Sequence, residues 1–152
     1  MSLTDRLQAD MKTAMRDGDT LRRDTLRMAI AAAQNAAKDK RAPLSDEEAI
    51  EVLGREVRKR RESVEAYRGA DREDLAAREA AEIDIITPYL PAQLSEDEVR
   101  ELVVEAIATS GATSPRDMGR VMSLLMPRVK GRADGKLVSA LVNAELARAG
   151  GA

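Results

Sequence analysis

Apolar residues recur every three or four positions along almost all of this 152-residue chain, and no segment shows the sustained alternation typical of a strand. The pattern predicts four helices before the first clear break, at about residues 1–18, 19–38, 45–69 and 72–86. Ser45 and Glu48 have the spacing of a capping box at the start of the third helix. We therefore expect an all-α fold.

Pro88 and Pro91 mark a boundary in this pattern. Proline breaks the hydrogen-bond ladder of a helix interior and pushes the residue before it toward extended geometry. We place a junction between two subdomains here. The sequence predicts an N-terminal helical bundle over residues 1–90 and a small three-helix C-terminal subdomain over residues 91–150.

The C-terminal subdomain has its own helix signals. A second Ser-x-x-Glu capping box begins at Ser95, and Ser114 is expected to cap the next helix with Pro115 at the favoured first position. Pro127 is expected to end or kink that helix, because its ring would strike the carbonyl of the residue four positions earlier. Asp134 is the expected cap of the last helix.

The composition removes most catalytic chemistry. The chain has no Cys and no His, so it lacks thiolate and imidazole metal ligands and the usual general base. Glu79 and Glu82 share a face of the fourth helix, and we interpret them as solvated surface carboxylates. The turn from Gly131 to Leu137 lacks the spacing and the Ser or Thr of a P-loop. We expect no catalytic residue, no metal and no cofactor.

The chain begins with charged residues and shows neither a secretory leader nor an apolar run near the roughly 18 residues of a membrane span. A cytoplasmic location without membrane contact is the expectation by default.

Two clusters of basic residues remain. The first lies among glutamates at i, i+4 spacing and favours an exposed face of salt bridges; it consists of Arg55, Arg58, Lys59, Arg60 and Arg61. The second follows an acidic helix and reaches a turn ahead of a helix N-terminus, where backbone N–H groups also favour anions. Its members are Arg116, Arg120, Arg128, Lys130, Arg132 and Lys136. It predicts a phosphate-binding surface; alternatively, the glycines only permit a left-handed turn and Asp134 only caps a helix.

Four segments, taken together and in order, resemble the GatB/YqeY family over nearly the whole chain. They are Arg72-Glu73-Asp74-Leu75, Tyr89-Leu90-Pro91 with Gln93-Leu94-Ser95, Asp117-Met118-Gly119-Arg120-Val121-Met122, and Gly131-Arg132-Ala133-Asp134-Gly135. The resemblance implies a two-part helical fold and kinship with the tail of the amidotransferase subunit that helps amidate Glu-tRNA(Gln) or Asp-tRNA(Asn). In that enzyme the tail contacts tRNA, and the catalytic domains lie outside it.

The leading hypothesis is a freestanding tRNA-binding helical domain that is not catalytic alone and contacts the tRNA backbone. Its further partner would be an amidotransferase or an aminoacyl-tRNA synthetase. One alternative is an amidotransferase-related component, for carbon–nitrogen ligation with glutamine as amido donor, active only in a complex. Another is a helical protein-interaction module. The sequence leaves open the tRNA species, the oligomeric state and the role of the Arg55–Arg61 cluster.

Overall fold

The structure, a computed structural model, describes residues 1–150, which form seven α-helices joined by turns and short 3-10 segments, without a strand in that range. The all-α prediction is confirmed. The chain divides into two compact units, the first over Met1–Leu90 and the second from Pro91 onward. No helix among the described residues is long and apolar enough to cross a membrane.

The N-terminal unit consists of α1 (Leu3–Asp17), α2 (Thr20–Lys40), α3 (Asp46–Gly69) and α4 (Glu73–Ile86), followed by a 3-10 turn over Thr87–Tyr89. The predicted capping box at Ser45 is confirmed, because its hydroxyl accepts the Glu48 amide and the Glu48 carboxylate accepts the Ser45 amide. The core is aliphatic, and its largest fully buried side chains are Leu7, Leu26, Leu53 and Ile86.

The interior of this unit also holds a charged network that the sequence interpretation missed. Arg60 is only 4% exposed, and its Nε lies 3.1 Å from an Oε2 of Glu82, itself 8% exposed. Its Nη1 donates to the Glu56 carbonyl at 3.0 Å. The prediction of a solvated Glu82 is therefore wrong, as is that of an exposed Arg60. Arg60 follows Leu53 and Val57 at i+7 and i+3, which puts it on the buried stripe of α3.

Tyr89 attaches the end of the N-terminal unit to α1. Its hydroxyl donates to the Asp10 carboxylate, and the Arg6 guanidinium lies over its ring, 5.4 Å from the centroid. Partial burial, followed by the hydrogen bond to Asp10, raises the pKa of the Tyr89 hydroxyl well above its ordinary value. The phenol therefore stays protonated and remains a donor.

The C-terminal unit contains α5 (Glu96–Ser110), a 3-10 turn over Pro115–Asp117, α6 (Met118–Val129) and α7 (Gly135–Gly150). Ser95 and Glu98 form the predicted capping box at the start of α5. The core is again aliphatic, and its fully buried side chains include Val99, Val103, Val121, Leu125, Val138, Val142 and Leu146.

One helix-end prediction in this unit is wrong, and a second differs in part from the structure. Ser114 makes no side-chain cap, because a 3-10 turn comes between it and α6 and the Asp117 carboxylate reaches back to the Thr113 amide at 2.9 Å. Pro127 was expected to end or kink α6, and the helix continues two residues past it, to Val129. The proline lies in the last turn, where it forfeits one ladder hydrogen bond and the Lys130 amide still closes the helix on the Met126 carbonyl at 2.9 Å.

Candidate nucleic-acid interface

The turn between α6 and α7 is built by backbone hydrogen bonds and one left-handed glycine. The amides of Arg132 and Ala133 both donate to the Val129 carbonyl, at 2.8 and 3.1 Å, and Gly131 has a φ of 74°. The Asp134 side chain accepts the Lys136 amide at 3.1 Å, which confirms the predicted cap of α7. The turn is therefore a defined structure, and it places Lys130 and Lys136 at its two ends.

The segment that opens the C-terminal unit holds this turn in place. The Leu94 amide donates to the Arg132 carbonyl at 2.8 Å. The Gln93 side-chain amide bridges the carbonyls of Gly131, at 2.8 Å, and Pro91, at 2.7 Å. Arg132 completes the connection, because its Nε donates to the Ala92 carbonyl at 3.1 Å. We call these residues, Pro91 to Leu94 with Gly131 and Arg132, the turn clamp.

Arg132 is thus engaged within the protein itself. It is only partly exposed, and its Nη1 also donates to the Arg128 carbonyl at 3.4 Å. The hydrogen bonds of the Ser95 capping box, with a smaller contribution from Arg132, hold the pKa of Glu98 below its ordinary value. Of the six predicted phosphate-binding residues, Arg132 therefore supports the turn that carries its neighbours.

Arg120 is exposed near the start of α6 and is paired locally. Its Nη2 lies 2.9 Å from Oδ1 of Asp117, whose other oxygen accepts the Thr113 amide. That backbone hydrogen bond first, and Arg120 second, lower the pKa of Asp117. Arg116, on the preceding 3-10 turn, is exposed as well.

Arg128 bridges two helices. Its Nη1 lies 3.0 Å from Oε1 of Glu105 on α5, and the two side chains are 49% and 60% exposed. The acidic helix and the basic cluster, which the sequence presents as separate charge blocks, are therefore in direct contact. Exposed pairs of this kind stabilise a protein by less than about 1 kcal/mol.

The structure places the predicted cations in two groups. Arg116 and Arg120 lie around the start of α6, whereas Arg128, Lys130, Arg132 and Lys136 lie at its end, on the turn and at the start of α7. At about 1.5 Å per residue, Arg120 and Arg128 are separated by roughly 12 Å along the helix axis. We call the exposed members the cationic surface; they are Arg116, Arg120, Arg128, Lys130 and Lys136.

Sequence reasoning missed two residues that shape this surface. Glu105 belongs to the acidic helix that precedes the basic cluster, and residue spacing alone does not reveal its ion pair with Arg128 on another helix. Gln93 had a signal, since it lies in one of the segments that carry the family resemblance. The structure shows what Gln93 does there, because its side-chain amide bridges two carbonyls of the turn clamp.

The fold and this surface define a two-unit, all-helical protein whose C-terminal unit presents cations around one helix and the following turn. The chain matches the family described as Yqey-like protein over residues 4–146 and belongs to it.

Similar proteins carry the name "Altered inheritance of mitochondria protein 41, mitochondrial". The one from Pyrenophora tritici-repentis is 34% identical over 138 residues, which cover 88% of this chain and 75% of that protein. The one from Kluyveromyces lactis is 29% identical over 133 residues, covering 86% and 68%. A third, from Lachancea thermotolerans, is 34% identical over 85 residues, covering 55% and 46%.

These relatives correct one expectation. The prediction of a cytoplasmic location is contradicted, because the similar proteins are named as mitochondrial. That prediction rested on charged residues at the start of this sequence and on the absence of a long apolar run, and neither observation identifies a compartment.

Proposed function

We propose that the C-terminal unit binds tRNA by contacting its phosphate backbone through the cationic surface. The observation that carries this proposal is that the turn clamp fixes the α6–α7 turn, so that exposed Lys130 and Lys136 are presented by a structured backbone. Binding to a preorganised surface avoids the entropic cost of ordering a loop. The resemblance to an amidotransferase tail that contacts tRNA supports the same ligand.

The chemistry of this unit favours backbone contacts over base recognition. Both tyrosines of the chain, Tyr67 and Tyr89, belong to the N-terminal unit, and the chain has no Phe or Trp. The C-terminal unit therefore offers no aromatic platform on which unpaired bases could stack. Phosphate contacts position a ligand and carry no sequence information directly, so different tRNAs should bind with similar affinity.

The test is fluorescence polarisation of labelled total tRNA at two salt concentrations. The variant Lys130→Ala/Lys136→Ala should weaken binding. Its log–log salt dependence should flatten by somewhat under one unit, about 0.7–0.9, for each phosphate that the variant no longer neutralises. Arg132 is left unchanged so that the turn clamp stays intact. The matched control is Arg55→Ala/Arg58→Ala on α3, which removes the same charge from the other basic cluster.

Either of two results would overturn the proposal. One is normal binding by the turn variant together with abolished binding by the α3 variant. The other is the lack of any salt-sensitive tRNA binding by the wild-type protein.

A second candidate is a protein-interaction module, which includes a component that acts only within an amidotransferase or synthetase complex. It is favoured by two apolar side chains on α6, Leu124 and Met126, which are 44% and 38% exposed. Apolar groups with polar neighbours are typical of interface centres. Leu124→Ser/Met126→Ser should abolish capture of such a partner and leave tRNA affinity unchanged if this candidate is correct.

A further inference from the structure

Two arginines of the cationic surface, Arg120 and Arg128, face carboxylates of their own unit. Arg120 is paired with Asp117 at 2.9 Å, and Arg128 with Glu105 at 3.0 Å. A phosphate that approaches either arginine therefore meets a competing anion. The two carboxylates differ in what else they do, and that difference assigns them different roles.

Asp117 is part of the local backbone structure, because its Oδ2 accepts the Thr113 amide at 2.9 Å. Glu98, the acidic residue near Arg132, belongs to the capping box of α5. Glu105 lies in the interior of α5, away from both helix ends, and 60% of its side chain is exposed. Its charge is therefore not required by a cap or a turn, and its ion pair with Arg128 crosses from one helix to another.

We infer that Glu105 is a negative determinant of RNA affinity, which competes with phosphate for Arg128 and restricts that arginine to polyanionic ligands. The inference rests on the proposed function. Both side chains are about half exposed, so water screens the pair and a phosphate can displace the carboxylate. The ion pair therefore weakens phosphate binding at Arg128 but does not prevent it.

This arrangement favours ligands that carry several phosphates over ligands that carry one. A single phosphate must displace Glu105 with nothing else to hold it in place. A ligand already held at Lys130 and Lys136 presents its next phosphate at a high effective concentration, so the exchange at Arg128 becomes favourable. The surface should therefore bind a dense phosphate backbone tightly and inorganic phosphate weakly.

The experiment measures binding of labelled total tRNA to Glu105→Gln, which keeps the shape of the side chain and removes its charge. Glu105→Gln should bind roughly two- to fivefold tighter, the range that corresponds to an exposed ion pair. Its salt dependence should steepen by about 0.7–0.9, because one more arginine engages phosphate with release of counterions. The gain should disappear in an Arg128→Ala background, since it acts through that arginine.

The matched control is Glu101→Gln, one turn earlier on the exposed side of α5, which removes the same charge and should change binding less than Glu105→Gln. Inorganic phosphate in large molar excess should compete poorly with tRNA for wild type and better for Glu105→Gln.

Two outcomes would overturn the inference alone. In one, Glu105→Gln binds like wild type while Arg128→Ala weakens binding. In the other, the gain of Glu105→Gln persists without Arg128, which would make it a general charge effect. If no variant and no wild-type protein binds tRNA in a salt-sensitive way, the proposed function fails as well, so the two failures are distinguishable.

Discussion

The Arg60 guanidinium and the Glu82 carboxylate lie 3.1 Å apart inside the N-terminal unit and connect α3 to α4. Each is less than a tenth exposed, and Glu56 completes the arrangement from the same helix as Arg60. Glu82 is also approached from the surface by Arg78, at 3.8 Å. The interior of this unit therefore contains a charged network in a core that is otherwise mainly aliphatic.

Removing Arg60 should be strongly destabilising. Arg60→Leu removes the buried cation and leaves Glu56 only the exposed Lys59, at 3.0 Å, and Glu82 only Arg78, at 3.8 Å. Breaking a buried pair typically costs about 3–5 kcal/mol, and we expect the lower end of that range because these surface cations remain. Urea unfolding followed by circular dichroism measures this cost. The exposed Arg58→Ala serves as the control and should stay within about 0.5 kcal/mol of wild type. A similar stability for the two variants would show that the buried pair contributes little.

The pH dependence of stability should carry a signature of Glu48. Its carboxylate lies 2.6 Å from Lys40 Nζ and accepts the Ser45 amide, and these contacts lower its pKa from 4.5 to about 2. A carboxyl whose folded pKa is depressed contributes stability above its unfolded pKa, and that stability is lost as the pH falls. The midpoint of thermal unfolding should therefore decline between about pH 4.5 and pH 2.

Glu48→Gln isolates this contribution, because glutamine can still accept the Ser45 amide but does not titrate. The variant should show a shallower decline than wild type over the same acid range. Identical pH profiles for the two proteins would assign acid sensitivity to other carboxyls.

Arg132→Ala should lower the stability of the C-terminal unit, an effect that goes beyond the loss of one positive charge. It removes the hydrogen bonds to the Ala92 and Arg128 carbonyls and should cost about 1–2 kcal/mol. Limited proteolysis should then cut more readily around residues 91–95, since the turn clamp is broken. Lys130→Ala/Lys136→Ala should leave that cleavage unchanged. Equal protease sensitivity of the two variants would contradict a structural role for Arg132.

The isolated chain should neither hydrolyse ATP nor release ammonia from glutamine. The reason is chemical: it has no Cys or His to serve as nucleophile or base, and its glycine turn lacks P-loop spacing. A coupled assay for phosphate and ammonia tests both activities. Turnover that a single substitution in this chain abolishes would refute the prediction.

The local features of this fold were predictable from sequence because their partners lie within four residues. The capping boxes at Ser45 and Ser95 and the Asp134 cap each depend on a polar side chain and the backbone of the next turn. Apolar periodicity likewise predicted the helices and the all-α class.

Most of the failures originate in tertiary contacts. Arg60 and Glu82 look like surface charges in the sequence. A lone charged residue on an apolar stripe is buried only if another helix supplies a partner, and the sequence does not show that partner. Glu105 and Arg128 are 23 positions apart, so only the packing of α5 against α6 reveals their ion pair. At Ser114 two local motifs competed, and the reach of Asp117 back to the Thr113 amide prevailed.

The hydrogen bond between Tyr89 and Asp10 allows unfolding of the N-terminal unit to be followed by intrinsic tyrosine fluorescence. A carboxylate bound to a phenol hydroxyl alters tyrosine emission, so opening of this contact should change fluorescence. Because Tyr67 and Tyr89 are the only aromatic residues in the sequence and both precede Pro91, the C-terminal unit emits no aromatic signal. Fluorescence thus follows the first unit alone, whereas far-ultraviolet circular dichroism follows the helices of both. Two melting curves from one unlabelled sample therefore reveal whether the units unfold together or in sequence.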